Sequence, residues 1–432
     1  MDAPLVPTPD RDALVALRRD LHRHPEPGWC EFYTTARLVD ELERRSIDAI
    51  HVGPEVLAGD RSSVPDAAER ERWRERARAA GARADVLDDL DGGRTGLIAV
   101  VERGEGPTVA LRVDIDALPI TESDGDDHAP ARSGFRSENE GYMHACGHDA
   151  HAAIGVGVID AVLASDFSGT LKVCFQPAEE IVAGADPMAR SGRIDDADHL
   201  LAVHVGLDHP TGEVVAGIED FLAVAGFRAE FSGASAHAGG HPSRGNHAVR
   251  AAATAVTELH AIPRHEDGAT RVNAGRIEGG TASNVIPERA TVEAEVRGGT
   301  TALMEYMEDR ADRVLDAAAG MHGCEVTVEK RARAPSATSD DALADLVAAV
   351  ARDTAGVERL IERDDLGGSE DATYLMRRVQ ERGGTACYVG VGTDHPGGHH
   401  TPTFDVDEAS IPTAVEVLTG TILALSRRDR TA

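Results

Sequence analysis

Nine consecutive residues, Met143-His144-Ala145-Cys146-Gly147-His148-Asp149-Ala150-His151, hold three imidazoles, a thiol and a carboxylate. A thiolate and an imidazole on one short loop can bind a divalent cation together. Cys146 and His148 are therefore the first pair of candidate ligands, with His144 and His151 as further imidazoles beside them. Downstream, Leu171-Lys172-Val173-Cys174-Phe175 runs into Gln176-Pro177-Ala178-Glu179-Glu180. Adjacent carboxylates on irregular backbone can point different ways, so one can ligate while the other moves protons. His204 closes an apolar stretch and precedes Gly206. Asp114 and Asp116 follow another, one residue apart, where they can ligate or orient a ligating histidine. His395, His399 and His400 sit among glycines near the C-terminus. Each of these has a plainer reading alone: a buried thiol, a helix cap, a solvated strand end. Together, ligand-type residues from distant parts of the chain, all falling at ends of strand-like segments, favour a metal site with a general base beside it.

The elements that must position these residues are legible as patterns. Arg11 to Leu42 reads as two helices broken at His24-Pro25-Glu26-Pro27-Gly28, where two prolines and a glycine force a turn. Asp66 to Ala84, dense in glutamate and arginine around Trp73, reads as a solvent-exposed helix. Thr95–Val101, Thr108–Val113, Thr170–Phe175, Leu200–Val205 and Thr385–Val391 read as strands, and Ala152–Leu163 as a helix. That alternation implies a sheet covered by helices, with ligands at the strand ends. After Phe221 the order becomes strand, helix, strand, strand, helix, strand, which is ferredoxin-like. Residues 1–220 and 334–432 are expected to form one domain, with 221–333 inserted into it and Arg331-Ala332-Arg333-Ala334-Pro335-Ser336 as the return linker. His237 falls in a glycine-rich loop of the insertion, with His241 and His247 nearby. Nothing in its surroundings ties it to the metal.

Composition excludes some partners. The 432 residues carry 75 acidic against 44 basic side chains, a formal net charge of -31. A phosphate backbone needs a basic surface, so nucleic acid is not an expected partner. Lys172 and Lys330 are the sole lysines. Such an acidic, lysine-poor chain suits high salt, where self-repulsion is screened. No apolar run reaches the roughly 18 residues of a membrane span. The start of the chain lacks a signal-peptide pattern, so a soluble cytoplasmic protein is expected. The cysteines, Cys30, Cys146, Cys174, Cys324 and Cys387, form no disulfide framework and point to a reducing compartment.

Several segments carry a family resemblance. They are Leu21-His22-Arg23-His24-Pro25-Glu26-Pro27-Gly28-Trp29, Arg112-Val113-Asp114-Ile115-Asp116-Ala117-Leu118, His144-Ala145-Cys146-Gly147-His148-Asp149 and Phe175-Gln176-Pro177-Ala178-Glu179-Glu180. Asn284-Val285-Ile286-Pro287, Gly368-Ser369-Glu370-Asp371 and the His400 loop continue the series. On these the chain resembles the M20 family of metallopeptidases and amidohydrolases, in the branch of N-acyl-amino-acid and indole-acetyl-amino-acid hydrolases. The charged segment from about Pro54 to Gly93 resembles one subgroup of that branch. The resemblance implies a zinc-peptidase-like α/β catalytic domain, its mixed sheet between helices, with an inserted α+β dimerisation domain. It implies two divalent ions, manganese or zinc, held by Cys146, His148, Glu180, His204 and His400, with His399 competing with His400. Glu179 would be the general base and Asp116 a support behind the ligands, while Asp114 replaces a ligand histidine of distant relatives. His237 would stabilise the oxyanion in a partner subunit's site, and Asn284 and Arg297 would hold the substrate carboxylate. The expected activity is hydrolysis of the amide bond of N-acyl or N-aroyl amino acids. Dipeptidase, aminoacylase and carbamoylase are rival reactions, and a noncatalytic binding protein is the rival class. The expected assembly is a homodimer or a heteromer with a related subunit.

Overall fold

The computed structural model describes residues 6, 7 and 10–429. Among them, one compact unit takes the chain up to Glu219, Ala337–Leu366 and the residues from Asp371 on. Asp220–Ser336 with Gly367–Glu370 form a second unit.

The first unit is built on an eight-stranded mixed sheet. Its order is Ala49–Val52, Leu97–Glu102, Thr170–Gln176, Thr108–Asp114, His199–Val205, Thr385–Val391, Glu213–Val215 and Arg359–Ile361. The central four strands, from Thr170–Gln176 to Thr385–Val391, are parallel neighbours. Their near-continuous Val, Leu and Ala runs are what strands covered on both faces require. Register aligns Asp114 with Gln176, and Val205 with Val391. All four therefore deliver their carboxyl ends to one edge, the place where open α/β sheets put ligands.

The helix His148–Leu163 starts at that edge. It is apolar all round and buried along nearly its whole length, packed against the sheet and against Arg11–Arg23 and Ser410–Asp429. Gly147 precedes it at φ +87°, and a Cβ there would lie 2.6 Å from Val205 Cγ2. Glycine is needed both for the left-handed turn and for the close approach. Cys146 and His148 thus flank a turn pressed onto the end of a neighbouring strand.

In the second unit four antiparallel strands run in the order Thr270–Gly279, Arg289–Gly298, Ala223–Ser232, Glu325–Ala334. Helices Ala248–His260 and Thr301–Met321 pack on them around a separate core that includes Phe227, Phe231, Val292 and Met307. This is the ferredoxin-like order expected from the pattern. Two details differ from it. The last strand continues to Ala334, because a register shift between Lys330 and Arg333 lets pairing with Ala225 and Val224 resume. Residues 331–334 are therefore strand and not linker. Gly367–Glu370 also belongs to this unit, held by the Leu222 amide donating to the Gly368 carbonyl at 2.7 Å.

The five cysteines are free and buried. No helix among the described residues is long and apolar enough to cross a membrane.

Candidate metal centre

At the carboxyl edge of the sheet the separate candidates come together. Potential ligand atoms of Cys146, His148 and His204 lie within 4.8 Å of one another. The same holds for Cys146, Glu180 and His400, and for His148, Glu179 and Glu180. The groups share Cys146, His148 and Glu180, so they form adjoining candidate sites for two divalent ions.

The hydrogen bonds fix which atoms are available. His148 Nδ1 faces Asp116 Oδ1 at 3.3 Å. Its Nε2 is buried without a hydrogen bond, 3.8 Å from both Glu179 Oε2 and Glu180 Oε1. Burial opposes charge on this ring, but Asp114, Asp116 and Glu180 outweigh it and push His148 up to about 10. The same negative field suits a cation at Nε2. His204 donates from Nδ1 to the Val205 carbonyl at 2.7 Å, which leaves the Nε2 lone pair facing Cys146 Sγ at 3.4 Å. Burial first, then His151 and His399, hold His204 well below its ordinary value, so it stays neutral as a ligand must. His400 Nε2 lies 3.5 Å from Glu180 Oε2. One thiolate with imidazoles and carboxylates is a donor set that accepts zinc and manganese. The buried, unpartnered Nε2 of His148 is the observation that makes the fit.

Other side chains act one step back. Asp116 uses its second oxygen to accept the Glu180 amide at 3.0 Å, so one carboxylate orients two of the candidate ligands. The Val205 amide donates to His151 Nε2 at 2.9 Å, which places the His151 proton on Nδ1, bonded to Asp114. With both nitrogens engaged, His151 is not available as a ligand. Asp114 also pairs with Arg112 at 2.8 Å. Against burial, Arg112, His148 and His151 hold it well below the usual carboxylate range. His144 is buried 6.3 Å, ring to ring, from His22, and neither of its nitrogens has a hydrogen-bond partner. Burial pushes it down to about 3.

The turn that carries Glu179 and Glu180 is anchored by Glu31, which no sequence pattern marked, and by Asp371, Gln176 and Arg112, whose part in holding it no local pattern revealed. Ala178, at φ +55°, donates its amide to buried Glu31 at 2.7 Å. The amides of Gly184 and Ala185 both donate to Asp371 Oδ2 at 3.0 Å. Gln176 donates to the other oxygen of Asp371 at 2.7 Å and accepts from Arg112 at 2.7 Å. A charged residue wedged between Cys30 and Phe32 is the one local sign that Glu31 has a buried task. A cavity of about 710 Å³ opens onto Cys146, His204 and His400, with Leu207, Ile218, Asp364 and Asp365 on its walls. It has the size of a small-molecule site.

Residues 110–424 match the model of Peptidase family M20/M25/M40. The chain belongs to this family. It is a metal-dependent amidohydrolase of the M20 type. It is 41% identical over 411 residues to the A subunit of p-aminobenzoyl-glutamate hydrolase from Escherichia coli (strain K12), covering 94% of each chain. It is 41% identical over 410 residues to indole-3-acetyl-aspartic acid hydrolase of Enterobacter agglomerans, again covering 94% of each. The crystal structure of the aminobenzoyl-glutamate utilization protein of Klebsiella pneumoniae superposes with a TM-score of 0.82 at 36% identity, covering 96% of both chains.

The remaining M20-type candidates lie in the second unit. His237 is exposed and pairs with Val285 on a two-stranded ribbon, beside Asn284, whose carbonyl accepts the Ala238 amide at 2.9 Å. The amides of Gly239 and Gly240 donate to His237 Nδ1 at 3.1 and 2.9 Å. Its proton is therefore on Nε2, as a hydrogen-bond donor to an oxyanion requires. Arg297 is not brought beside them within this unit. It lies at the opposite end of the strand Arg289–Gly298, eight residues or roughly 26 Å from Arg289. There it is engaged by both oxygens of Glu295, at 2.8 and 3.2 Å.

Proposed function

We propose that this chain hydrolyses the amide bond of N-acyl or N-aroyl amino acids, p-aminobenzoyl-glutamate among them. The observation that carries this reading is the pair Glu179 and Glu180. They are neighbours in sequence, and each sets a carboxylate oxygen 3.8 Å from the one unpartnered nitrogen of His148. One carboxylate can then ligate while the other handles a proton. Similarity to hydrolases named for p-aminobenzoyl-glutamate and indole-3-acetyl-aspartate supports the substrate class.

In this reading Cys146, His148, Glu180, His204 and His400 hold two ions, manganese or zinc. When bound there, two such ions would supply a lowered pKa for a water and polarisation of the scissile carbonyl. Glu179 accepts the proton of the attacking water and returns it to the departing amine. Asp116 keeps His148 and the Glu180 backbone in place. His237, from a partner subunit, donates from Nε2 to the carbonyl oxygen as it gains charge. Arg297 holds the free carboxylate, exchanging Glu295 for it, and Asn284, which lies by the far end of that strand within one chain, reaches the same group from a partner subunit together with His237. The insertion serves as dimerisation and lid domain, in a homodimer or with a related subunit, and the protein works in the cytoplasm.

The test is amine release by purified protein in molar salt with added manganese or zinc. The panel contains p-aminobenzoyl-glutamate, N-acetyl and indole-acetyl amino acids, a carbamoyl amino acid and dipeptides. Chelator-sensitive cleavage of the acyl or aroyl compounds is expected. Cleavage confined to dipeptides or the carbamoyl compound would replace this reading by a peptidase or carbamoylase. Silence with metal bound would replace it by a binding role.

A further inference from the structure

His399 and His400 are adjacent imidazoles at the same centre, and their hydrogen bonds separate them. The Leu207 amide donates to His399 Nε2 at 3.1 Å. A ring nitrogen that accepts an N–H carries no proton, so in the neutral ring the proton sits on Nδ1. Nδ1 faces Cys146 Sγ at 3.5 Å, within reach of a sulfur acceptor. A protonated nitrogen has no lone pair for a metal. His400 has no such constraint, and its Nε2 reaches Glu180.

Packing holds the His399 ring in this orientation. Gly206, at φ +85°, lies against it, and a Cβ there would stand 2.4 Å from Nε2. Phe404 and His395 flank it, each with its ring centroid 4.8 Å away. Turning the ring over would set a C–H in place of Nε2 against the Leu207 amide and lose that hydrogen bond.

We infer that His399 is a positioning residue: it donates a hydrogen bond from Nδ1 to the sulfur of Cys146 and does not ligate an ion. The inference rests on the reading of Cys146 as a metal-bound thiolate. The donor withdraws charge from the sulfur and fixes its direction, as partners behind metal ligands do.

Three variants of the full chain, loaded with cobalt, test this. His399→Asn keeps an N–H near the position of Nδ1. His399→Gln keeps an acceptor for the Leu207 amide without that donor. His399→Phe keeps the ring alone. The readouts are cobalt per chain, the thiolate-to-cobalt charge-transfer band, and kcat apart from KM. The Gln and Phe variants are expected to keep the wild-type cobalt content and shift the band to longer wavelength. They should lose about 10- to 100-fold in kcat, with KM little changed. The Asn variant should restore the band. An unmoved band in the Gln and Phe variants would overturn the donor role, and loss of one ion would make His399 a ligand. Absence of any thiolate band in the wild-type protein would remove Cys146 from the centre and overturn the underlying reading as well.

Discussion

Glu179 and Glu180 are chemically identical, so their division of labour depends on position. Glu180 has its amide held by Asp116 and its carboxylate between His148 and His400. Glu179 sets Oε2 3.8 Å from the same His148 nitrogen. Glu179→Gln should keep both ions and lose turnover by roughly 10²- to 10⁴-fold; a variant with wild-type kcat would end its assignment as base. Cys146→Ser replaces the soft sulfur of a candidate ligand by a harder, neutral hydroxyl. It should lower metal content, read by elemental analysis after gel filtration. A second buried network, behind Asp149, sets a pH dependence of stability. His22 is buried between Asp149 at 2.8 Å and Glu122 at 2.9 Å. Burial and Arg18 work against its charge, but the two carboxylates prevail and push it up to about 9. A folded value above the unfolded one of about 6.5 gives stability that is complete below that pH and fades as pH rises through about 9. Glu122 has the opposite sign. His128 and His22 outweigh burial and hold it down to about 2, so its contribution is present above about 4.5 and lost as pH falls through about 2. His22→Gln should therefore cost about 3–5 kcal/mol near pH 6, as breaking a buried pair does, and less as pH climbs toward 9. A gap in melting temperature that stays constant from pH 6 to 9 would refute the linkage.

The element that matters most for the site is the turn from Pro177 to Ala185. Its two feet are tied to Glu31 and Asp371, and Gly184 packs so closely that a Cβ would lie 1.6 Å from the Pro177 carbonyl oxygen. Gly184→Ala should destabilise the protein by about 1–3 kcal/mol and reduce metal content, because the turn must move and carry Glu180 with it. Gly320 offers the contrast. It lies in the helix Thr301–Met321, and a Cβ there meets nothing within 4 Å. Gly320→Ala should stabilise by about 0.5–1 kcal/mol in a thermal melt and leave metal content unchanged. What is legible in the chain follows the same division. Strand ends, the Cys146-Gly147-His148 turn and the order of the insertion are local patterns, and periodicity exposes them. Glu31, Arg112 and Asp371 act across long separations, and nothing near them in sequence says which turn they hold. The charges of the helix Ala67–Ala79 imply a solvated element, yet Trp73 and Ala77 are buried, with Trp73 edge-on to Tyr142 at 4.8 Å. A single aromatic in a field of charges makes too weak a stripe to show that contact. Adjacent imidazoles such as His399 and His400 are indistinguishable until a backbone amide from Leu207 reaches one of them.

On the scale of the whole molecule, charge outweighs any single contact. If every one of the 44 basic side chains found an acidic partner, 31 carboxylates would still lack one. Exposed ion pairs such as Arg83 with Asp85 are each worth about 0–1 kcal/mol, and salt screens them. Salt also screens the repulsion among the excess carboxylates, which acts over the whole surface. Because the excess is so large, the second effect should win. Raising KCl from about 0.1 M to about 1 M shortens the screening length from about 10 Å to about 3 Å, and the melting temperature should rise by several degrees. Sucrose at matched osmolality should reproduce little of this, since it acts by exclusion from the surface and not by screening. The same field faces the substrate. An N-acyl amino acid is an anion approaching an acidic protein, so its encounter should quicken with salt and KM should fall, while kcat, set inside the buried centre, changes little. A melting temperature and a KM that both ignore KCl would mean that the acidic excess is spread too thinly to repel, and would sever composition from working conditions.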